Sequence, residues 1–249
     1  MVSMPADVVA GSAAPAIDIR DLSFRWGARE GPCLRIERFT VPAGEHVFLL
    51  GPSGGGKSTL LGLMAGVLVP TQGRVSLLGA DWSARSGAQR DAFRADHVGY
   101  IFQQFNLLPY LSVIDNVLLP CRFSGLRRAR AQAGGGSARS AAESLLARVG
   151  LPQPVWARPA AALSVGQQQR VAAARALIGA PEVVIADEPT SALDAALRDA
   201  FMDVLLGECR AANSTLVFVS HDERLASRFD ARVSLAHINS AARSTALAG

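Results

Sequence analysis

Gly51-Pro52-Ser53-Gly54-Gly55-Gly56-Lys57-Ser58 is the stretch that decides how this chain folds. It fits G-x-x-x-x-G-K-[ST], the P-loop pattern. The apolar run His46–Leu50 leads into it, and Thr59 to Ala65 leads out at helical spacing. That is the strand–loop–helix setting the pattern requires. The glycines allow backbone N–H groups to converge on phosphate oxygens with no Cβ in the way. The helix that follows turns its positive end toward the same anion. Lys57 is placed to reach the β- and γ-phosphates, and the Ser58 hydroxyl to ligate Mg²⁺. Lys57 is also the only lysine in the chain. Every other basic side chain apart from histidine is arginine. Arginine is a wide planar fork, lysine a compact charge on a slim stem. A narrow phosphate cradle admits the second and not the first.

Working outward, the 249 residues suit one or two domains. Hydrophobic residues make up 49% and charged residues 18%, a globular balance and not a disordered one. No apolar run reaches the roughly 18 residues that span a bilayer. Residues 1–15 are small and apolar without a basic start, so they read as a frayed arm and not a signal peptide. Cys33, Cys121 and Cys209 are odd in number and far apart, which argues against a disulfide framework or a zinc site. A reducing cytosol is the simplest compartment. The net charge of +4 leaves nucleic acid, a solvated basic face and anionic lipid all open.

Alternation over 16–26 (Ile17, Ile19, Leu22, Phe24, Trp26) reads as an edge or half-buried strand, and 34–41 repeats it. Short strands follow at 74–78 and 97–102. Residues 103–109 read as a loop with exposed apolar residues. A helix over 112–119 takes Ser112 as its N-cap. Residues 122–139 carry five arginines, no acid and Gly134-Gly135-Gly136, and read as a flexible surface connection. Helices are expected over 141–149, 166–178 and 195–210. Strands are expected over 182–186, 215–220 and 232–236, before a small-residue tail at 237–249. Strands joined by helical crossovers imply an α/β fold with a parallel sheet covered on both faces. The middle of the chain reads as a helical insertion.

Three further stretches extend the phosphate chemistry. Val183-Val184-Ile185-Ala186 is a buried strand that delivers Asp187 and Glu188 at its carboxyl end, where open α/β sheets bind ligands. Asp187 is placed to hold Mg²⁺ and Glu188 to orient or deprotonate a water. Leu163-Ser164-Val165-Gly166-Gln167 precedes a helix that Ser164 can cap, a second anion-ready start. One ATP has one γ-phosphate, so two such starts in one chain point to a head-to-tail dimer. His221 follows the strand Leu216 to Ser220, on the same rim as Asp187, where it can contact the γ-phosphate or hold Glu188 and water.

This ordered set resembles the ATP-binding subunit of ABC transporters, over about Ile17 to Ala236. The resemblance implies a P-loop ABC ATPase fold. Its core sheet is mostly parallel, with an N-terminal antiparallel β subdomain and a helical subdomain inserted at about 104–165. Within one ATPase domain over 16–236 it makes Gly51, Pro52, Ser53, Gly54, Gly55, Gly56, Lys57, Ser58 and Thr59 the Walker A loop. Gln103 stands as the Q-loop glutamine, which with Ser58 and Asp187 senses or holds Mg²⁺. Ser164, Gly166 and Gln167 stand in the signature, Glu188 as the catalytic glutamate, Asp194 in the D-loop Ser191-Ala192-Leu193-Asp194, and His221 as the switch histidine. Trp26 sits where the family stacks an aromatic on adenine.

The implied cofactors are ATP and Mg²⁺. The implied partners are a second copy or paired cassette, an integral membrane permease and a periplasmic adaptor, with no nucleic acid. The place is the cytoplasmic face of the membrane, as a peripheral subunit. Ile101-Phe102-Gln103, Asn106-Leu107-Leu108-Pro109 and Gln167-Gln168-Gln169-Arg170 are similar to the lipoprotein-release, macrolide-export and cell-division group. The expected function is ATP hydrolysis that drives a permease for export or extracytoplasmic release. The alternative is a force-transmitting cassette that moves no solute.

DNA-repair cassettes carry long coiled coils between the loop and the signature, and this interval is short and without heptads. Ribosome-associated cassettes come in pairs on one chain, and here there is one. Two departures from the family stand out. Val165 replaces the first glycine of the usual signature, and the 122–139 stretch is longer than the group's usual connection.

Overall fold

The computed structural model describes residues 15–52, 54–191 and 193–241. The expected arm, apart from Pro15, and residues 242–249 of the expected tail lie outside the described residues. The strands are β1 (Pro15–Phe24), β2 (Leu34–Pro42), β3 (His46–Leu50), β4 (Gln72–Leu77), β5 (Ala80–Asp81), β6 (Val98–Ile101), β7 (Val183–Asp187), β8 (Thr215–Val219) and β9 (Ala231–Ser234). The helices are α1 (Lys57–Met64), α2 (Gly87–His97), α3 (Val113–Phe123), α4 (Gly125–Gln132), α5 (Ala138–Arg148), α6 (Val165–Leu177), α7 (Ala195–Ala211) and α8 (Leu235–Ile238). The chain divides into two compact units, one of residues up to 91 and from 221 onward, the other of 92–220.

The first unit holds an antiparallel sheet in the order β2-β1-β4-β5. Ile19 lies opposite Phe39 on one side and Val75 on the other, and Leu22 opposite Ile36. Ile17, Ile19, Leu22, Leu34, Ile36, Val75 and Leu77 are fully buried. The apolar spacing in β1 slips between Ile19 and Leu22 because the register against β4 shifts there. Asp21 takes φ +50 at that bulge. Gly73 faces it so closely that a Cβ would stand 2.1 Å from the Asp21 carbonyl oxygen. Only glycine permits that approach.

β3 pairs in parallel with β9, Val47 opposite Ala231 and Leu50 opposite Ser234. The backbone N–H of His46 donates to the Asp230 carboxylate at 2.8 Å, fixing where that pair starts. At the far end of α1, the buried Trp82 indole donates to the Met64 carbonyl at 3.1 Å. That satisfies one of the carbonyls a helix terminus leaves over. The last strand ends at Ser234, and Leu235 to Ile238 form a short helix across the end of the strand expected over 232–236 and the start of the expected tail. Asn239 follows it buried, accepting from Arg35 N at 2.9 Å and donating to the Cys33 carbonyl at 3.1 Å.

The second unit is built on the parallel strands β6-β7-β8, with Val98 opposite Val183, and Asp187 opposite Val219. Val183 to Ala186 and Leu216 to Val219 are fully buried. Continuous apolar runs of this kind belong to parallel strands covered on both faces. α3 packs on α5 and α6, burying Val113, Val117, Leu145, Leu146, Val171 and Ala172. Ser112 caps α3 through Asp115 N at 3.1 Å, as its position predicts.

The arginine-rich stretch is not a flexible connection. It carries α4, capped by Ser124, which accepts from Arg127 N at 2.9 Å. Arg127 is 2% exposed. Its guanidinium donates to the carbonyls of Ile178 at 2.8 Å, Ala176 at 2.6 Å and Val98 at 3.3 Å. Arg130 adds two hydrogen bonds to the Glu182 carboxylate, at 2.6 and 3.0 Å. A low-hydropathy run hides a helix whose arginines are structural anchors, because composition cannot tell a solvated guanidinium from one that satisfies chain carbonyls.

Candidate functional site

The P-loop leaves β3 at Leu50 and enters α1 at Lys57. Ser53 lies outside the described residues. Gly54 and Gly56 take φ of +73 and +90, the left-handed region that glycine enters without cost. A Cβ at Gly56 would stand 2.9 Å from Leu34 Cδ2, so β2 closes on the loop where no side chain exists. Gly56 caps α1 without a side-chain hydrogen bond. No cap side chain therefore takes the first-turn amides, which suits an anion at that end.

Lys57 is 8% exposed. Its ammonium donates to the Gly51 carbonyl at 2.9 Å and the Pro52 carbonyl at 3.4 Å. The cradle therefore fits a phosphate by its shape, by a helix start without a side-chain cap and by the buried Lys57 ammonium. Ser58 is exposed and Thr59 half-buried.

Trp26 and His221 belong to the same unit as the P-loop. Trp26 is 63% exposed and meets Phe24 edge-to-face, ring centroids 5.2 Å apart. One side of a large aromatic is thus fixed while most of it faces solvent, the disposition a stacking platform needs. His221 is exposed, one residue before Asp222, whose carboxylate caps the short turn Glu223–Arg228 through Arg224 N at 3.2 Å.

Gln103, Ser164, Gly166, Gln167, Asp187, Glu188 and Asp194 belong to the second unit. Gln103 is exposed in the turn after β6. The loop it opens was expected to expose its apolar residues; Pro109 is exposed and Leu107 and Leu108 are half-buried, but Phe105 is not. Phe105 is buried, at 7% exposure, and it and Asn106 take φ of +60 and +48. Arg175 on α6 holds their carbonyls, at 2.6 Å and 2.7 Å. The buried Asn116 on α3 takes both Leu108 N, at 2.8 Å, and Leu108 O, at 3.0 Å. Polar residues inside α3 and α6 thus fold the loop back. No local pattern announces them, because they lie some distance away in sequence.

β7 ends at Asp187. Glu188 then leaves the strand conformation with φ +44 while its N–H still donates to the Val219 carbonyl at 3.0 Å. A left-handed non-glycine residue costs roughly 1 kcal/mol, and such strain gathers at sites that need one side-chain direction. Beside this end, burial and then the Asp187 carboxylate raise the Tyr100 phenol above its ordinary pKa.

α6 begins with a reciprocal cap. Ser164 Oγ accepts from Gln167 N at 3.4 Å, and Gln167 Oε1 accepts from Ser164 N at 3.0 Å. The Gln167 side chain is thereby occupied in shaping the turn. Val165 stands 49% exposed on it. Asp194 caps α7, accepting from Leu197 N at 2.9 Å. Ala192 of that loop lies outside the described residues. The side chain that joins these pieces is Gln169, which the motif Gln167-Gln168-Gln169-Arg170 includes without assigning it a site role. It is 1% exposed and donates to the Pro189 carbonyl at 2.6 Å, tying α6 to the turn that follows Glu188. Its polar neighbours Gln168 and Arg170 disguise it as a solvent-facing residue.

A family model described as "ABC transporter" matches residues 34–191, more than half of the chain. The chain belongs to the ABC transporter family. This ABC protein is an ATPase of the P-loop ABC fold, with parallel and antiparallel sheets and inserted helices. It is 42% identical over 226 residues to "Lipoprotein-releasing system ATP-binding protein LolD" of Novosphingobium aromaticivorans, covering 89% of this chain and 96% of that one. It is 37% identical over 216 residues to "Macrolide export ATP-binding/permease protein MacB" of Hyphomonas neptunium. That match takes 86% of this chain and spans 32% of the longer protein. Among solved structures it resembles the dimeric post-hydrolysis state of an ATP-binding cassette bound to ADP and Pi. The TM-score is 0.76 at 31% identity, over 88% of this chain and 93% of that one. Among the described residues no helix is long and apolar enough to cross a membrane.

Proposed function

We propose that this ABC ATPase drives a separate membrane permease for export or extracytoplasmic release. It works as a head-to-tail dimer on the cytoplasmic face of the membrane. The observation that carries the dimer is that one chain presents two helix starts for one γ-phosphate, Gly56 on α1 with no side-chain cap and Ser164 on α6, whose Oγ accepts from Gln167 N and keeps its own O–H to donate. The relatives' names support the permease, and the dimeric neighbour supports the pairing. A periplasmic adaptor fits the same reading.

In this reading Trp26 stacks on adenine, and residues 51–59 with Lys57 hold the phosphates. Ser58 and Asp187, hard oxygen donors, hold Mg²⁺ with Gln103. When bound, Mg²⁺ neutralises charge building on the phosphate oxygens. Ser164 and Gly166 of the second copy cover the γ-phosphate, with Gln167 shaping their turn. Asp194 fixes the start of α7. Glu188 takes the proton of the attacking water, and His221 holds the geometry. Residues 104–165, which carry α3, α4 and α5, act as the inserted helical subdomain. The loop after Gln103 is where the permease docks.

The test is the ATP-induced mass of Glu188→Gln by light scattering. A dimer is expected with ATP and a monomer without, and wild-type ATPase rate should rise faster than linearly with protein concentration. If Glu188→Gln stayed monomeric with ATP while adding Val165→Gly restored the dimer, this chain's own signature would not close the site.

A further inference from the structure

Behind the start of α6, the groove between α6 and α7 deepens into a cavity of about 280 Å³. Val149, Ala173, Leu197, Phe201 and Val204 give it apolar walls, and Arg148 and Arg170 also line it. The two guanidinium groups are not equivalent. Arg148 is neutralised by Glu208 through hydrogen bonds of 2.6 and 3.0 Å. Arg170 donates to the Gly150 carbonyl at 2.8 Å and the Gly166 carbonyl at 3.3 Å. Both acceptors are uncharged, and Arg170 makes no ion pair among the described residues. An oily cavity with one unbalanced cation complements a ligand with one anionic end and an apolar body. Its volume lies near the roughly 300 Å³ lower bound of small-molecule pockets, so the ligand is small.

We propose that this cavity binds a small amphipathic carboxylate, a medium-chain acyl or aryl acid. The carboxylate pairs with Arg170 and the apolar body lies between α6 and α7. The site has a lever on the chemistry. A Cβ at Gly166 would lie 3.9 Å from Leu193 Cδ2, so the signature turn and the D-loop meet at the cavity wall. Gln169, which also lines it, holds the Pro189 carbonyl just past Glu188. A body seated there fixes the spacing of these pieces and changes turnover more than ATP affinity. This second step rests on the proposed function. The binding does not.

Isothermal titration of nucleotide-free full-length protein with decanoate, below its micelle concentration, tests the site. One equivalent is expected to bind. 1-Decanol and decyltrimethylammonium should bind at least tenfold more weakly. Ala200→Trp, on the exposed rim of the cavity, should abolish binding by filling it. Arg170→Gln should weaken binding at least tenfold, with Arg170→Lys in between. Equal binding of decanol, or unchanged binding in Ala200→Trp, overturns the site. So does a change of oligomeric state in Ala200→Trp without decanoate binding, since the groove would then seat a second copy. Decanoate should shift kcat of wild type and leave Ala200→Trp unmoved. Binding with unchanged kcat overturns the lever and leaves the site standing.

Discussion

Gln169 and Pro189 are joined by a 2.6 Å hydrogen bond from side-chain amide to backbone carbonyl, inside the protein. The bond couples α6 to the turn that follows Glu188. Replacing Gln169 with leucine keeps the volume and strands the carbonyl. The expected cost is about 1–3 kcal/mol of stability. The more telling readout is kinetic. Gln169→Leu should lower kcat while KM for ATP stays near wild type, whereas a purely structural role would leave kcat per folded molecule unchanged.

Lys57→Arg tests the cradle. The lysine stem already lies 3.3 Å from where a Gly51 Cβ would stand. A guanidinium keeps the charge and needs more width. Loss of a charge-assisted phosphate contact should weaken nucleotide binding by roughly 10- to 100-fold. Equilibrium binding of a fluorescent ATP analogue measures this without turnover. Wild-type affinity in Lys57→Arg would refute the size argument.

Arg127 should matter far more to stability than its place in an arginine-rich run suggests. Burial lowers its pKa to about 10, which still leaves it charged at neutral pH. Arg127→Met removes the donors to Val98, Ala176 and Ile178. At about 1–3 kcal/mol for each buried acceptor left unpaired, a total loss above roughly 3 kcal/mol is expected. Urea unfolding checks it. Arg127→Lys should recover little, because one ammonium cannot serve acceptors spread across a planar fork.

Glu182 sets an acid limit. Burial pushes its carboxyl up, but hydrogen bonds from Arg130 and His97 outweigh that and bring the pKa from 4.5 to about 2. The unfolded chain therefore takes up this proton near pH 4.5, and the folded chain only near pH 2. The stabilisation is full above about pH 4.5 and is lost as pH falls toward 2. Tm should drop across that window, and Glu182→Gln should flatten that part of the profile while lowering Tm at neutral pH.

The strands and most helices were legible because local pattern and tertiary need agree there. His46–Leu50, the Ser112 cap and the helix after Asp194 follow from a handful of neighbouring residues. The strand–loop–helix setting of the P-loop and the strand that ends at Asp187 were legible for the same reason, since each is one contiguous stretch. What stayed hidden depends on residues far apart. Arg127 reaches Val98 and Ile178, Arg175 reaches Phe105, Asn116 reaches back to Leu108, and Gln169 reaches Pro189. Each is a polar side chain whose burial is decided by a carbonyl on another element. Composition counts such residues as surface, and Phe105 was read as exposed because the arginine that folds its loop lies on α6.

The seating of Lys57 has a chemical consequence. It supplies the only ε-amine in the sequence, and that amine is held against two backbone carbonyls inside the loop. Among the lysine side chains of this sequence, an amine-directed reagent therefore has one target, at the P-loop. A reactive ester becomes a single-residue probe, and the mass of one peptide reports whether the cradle is filled.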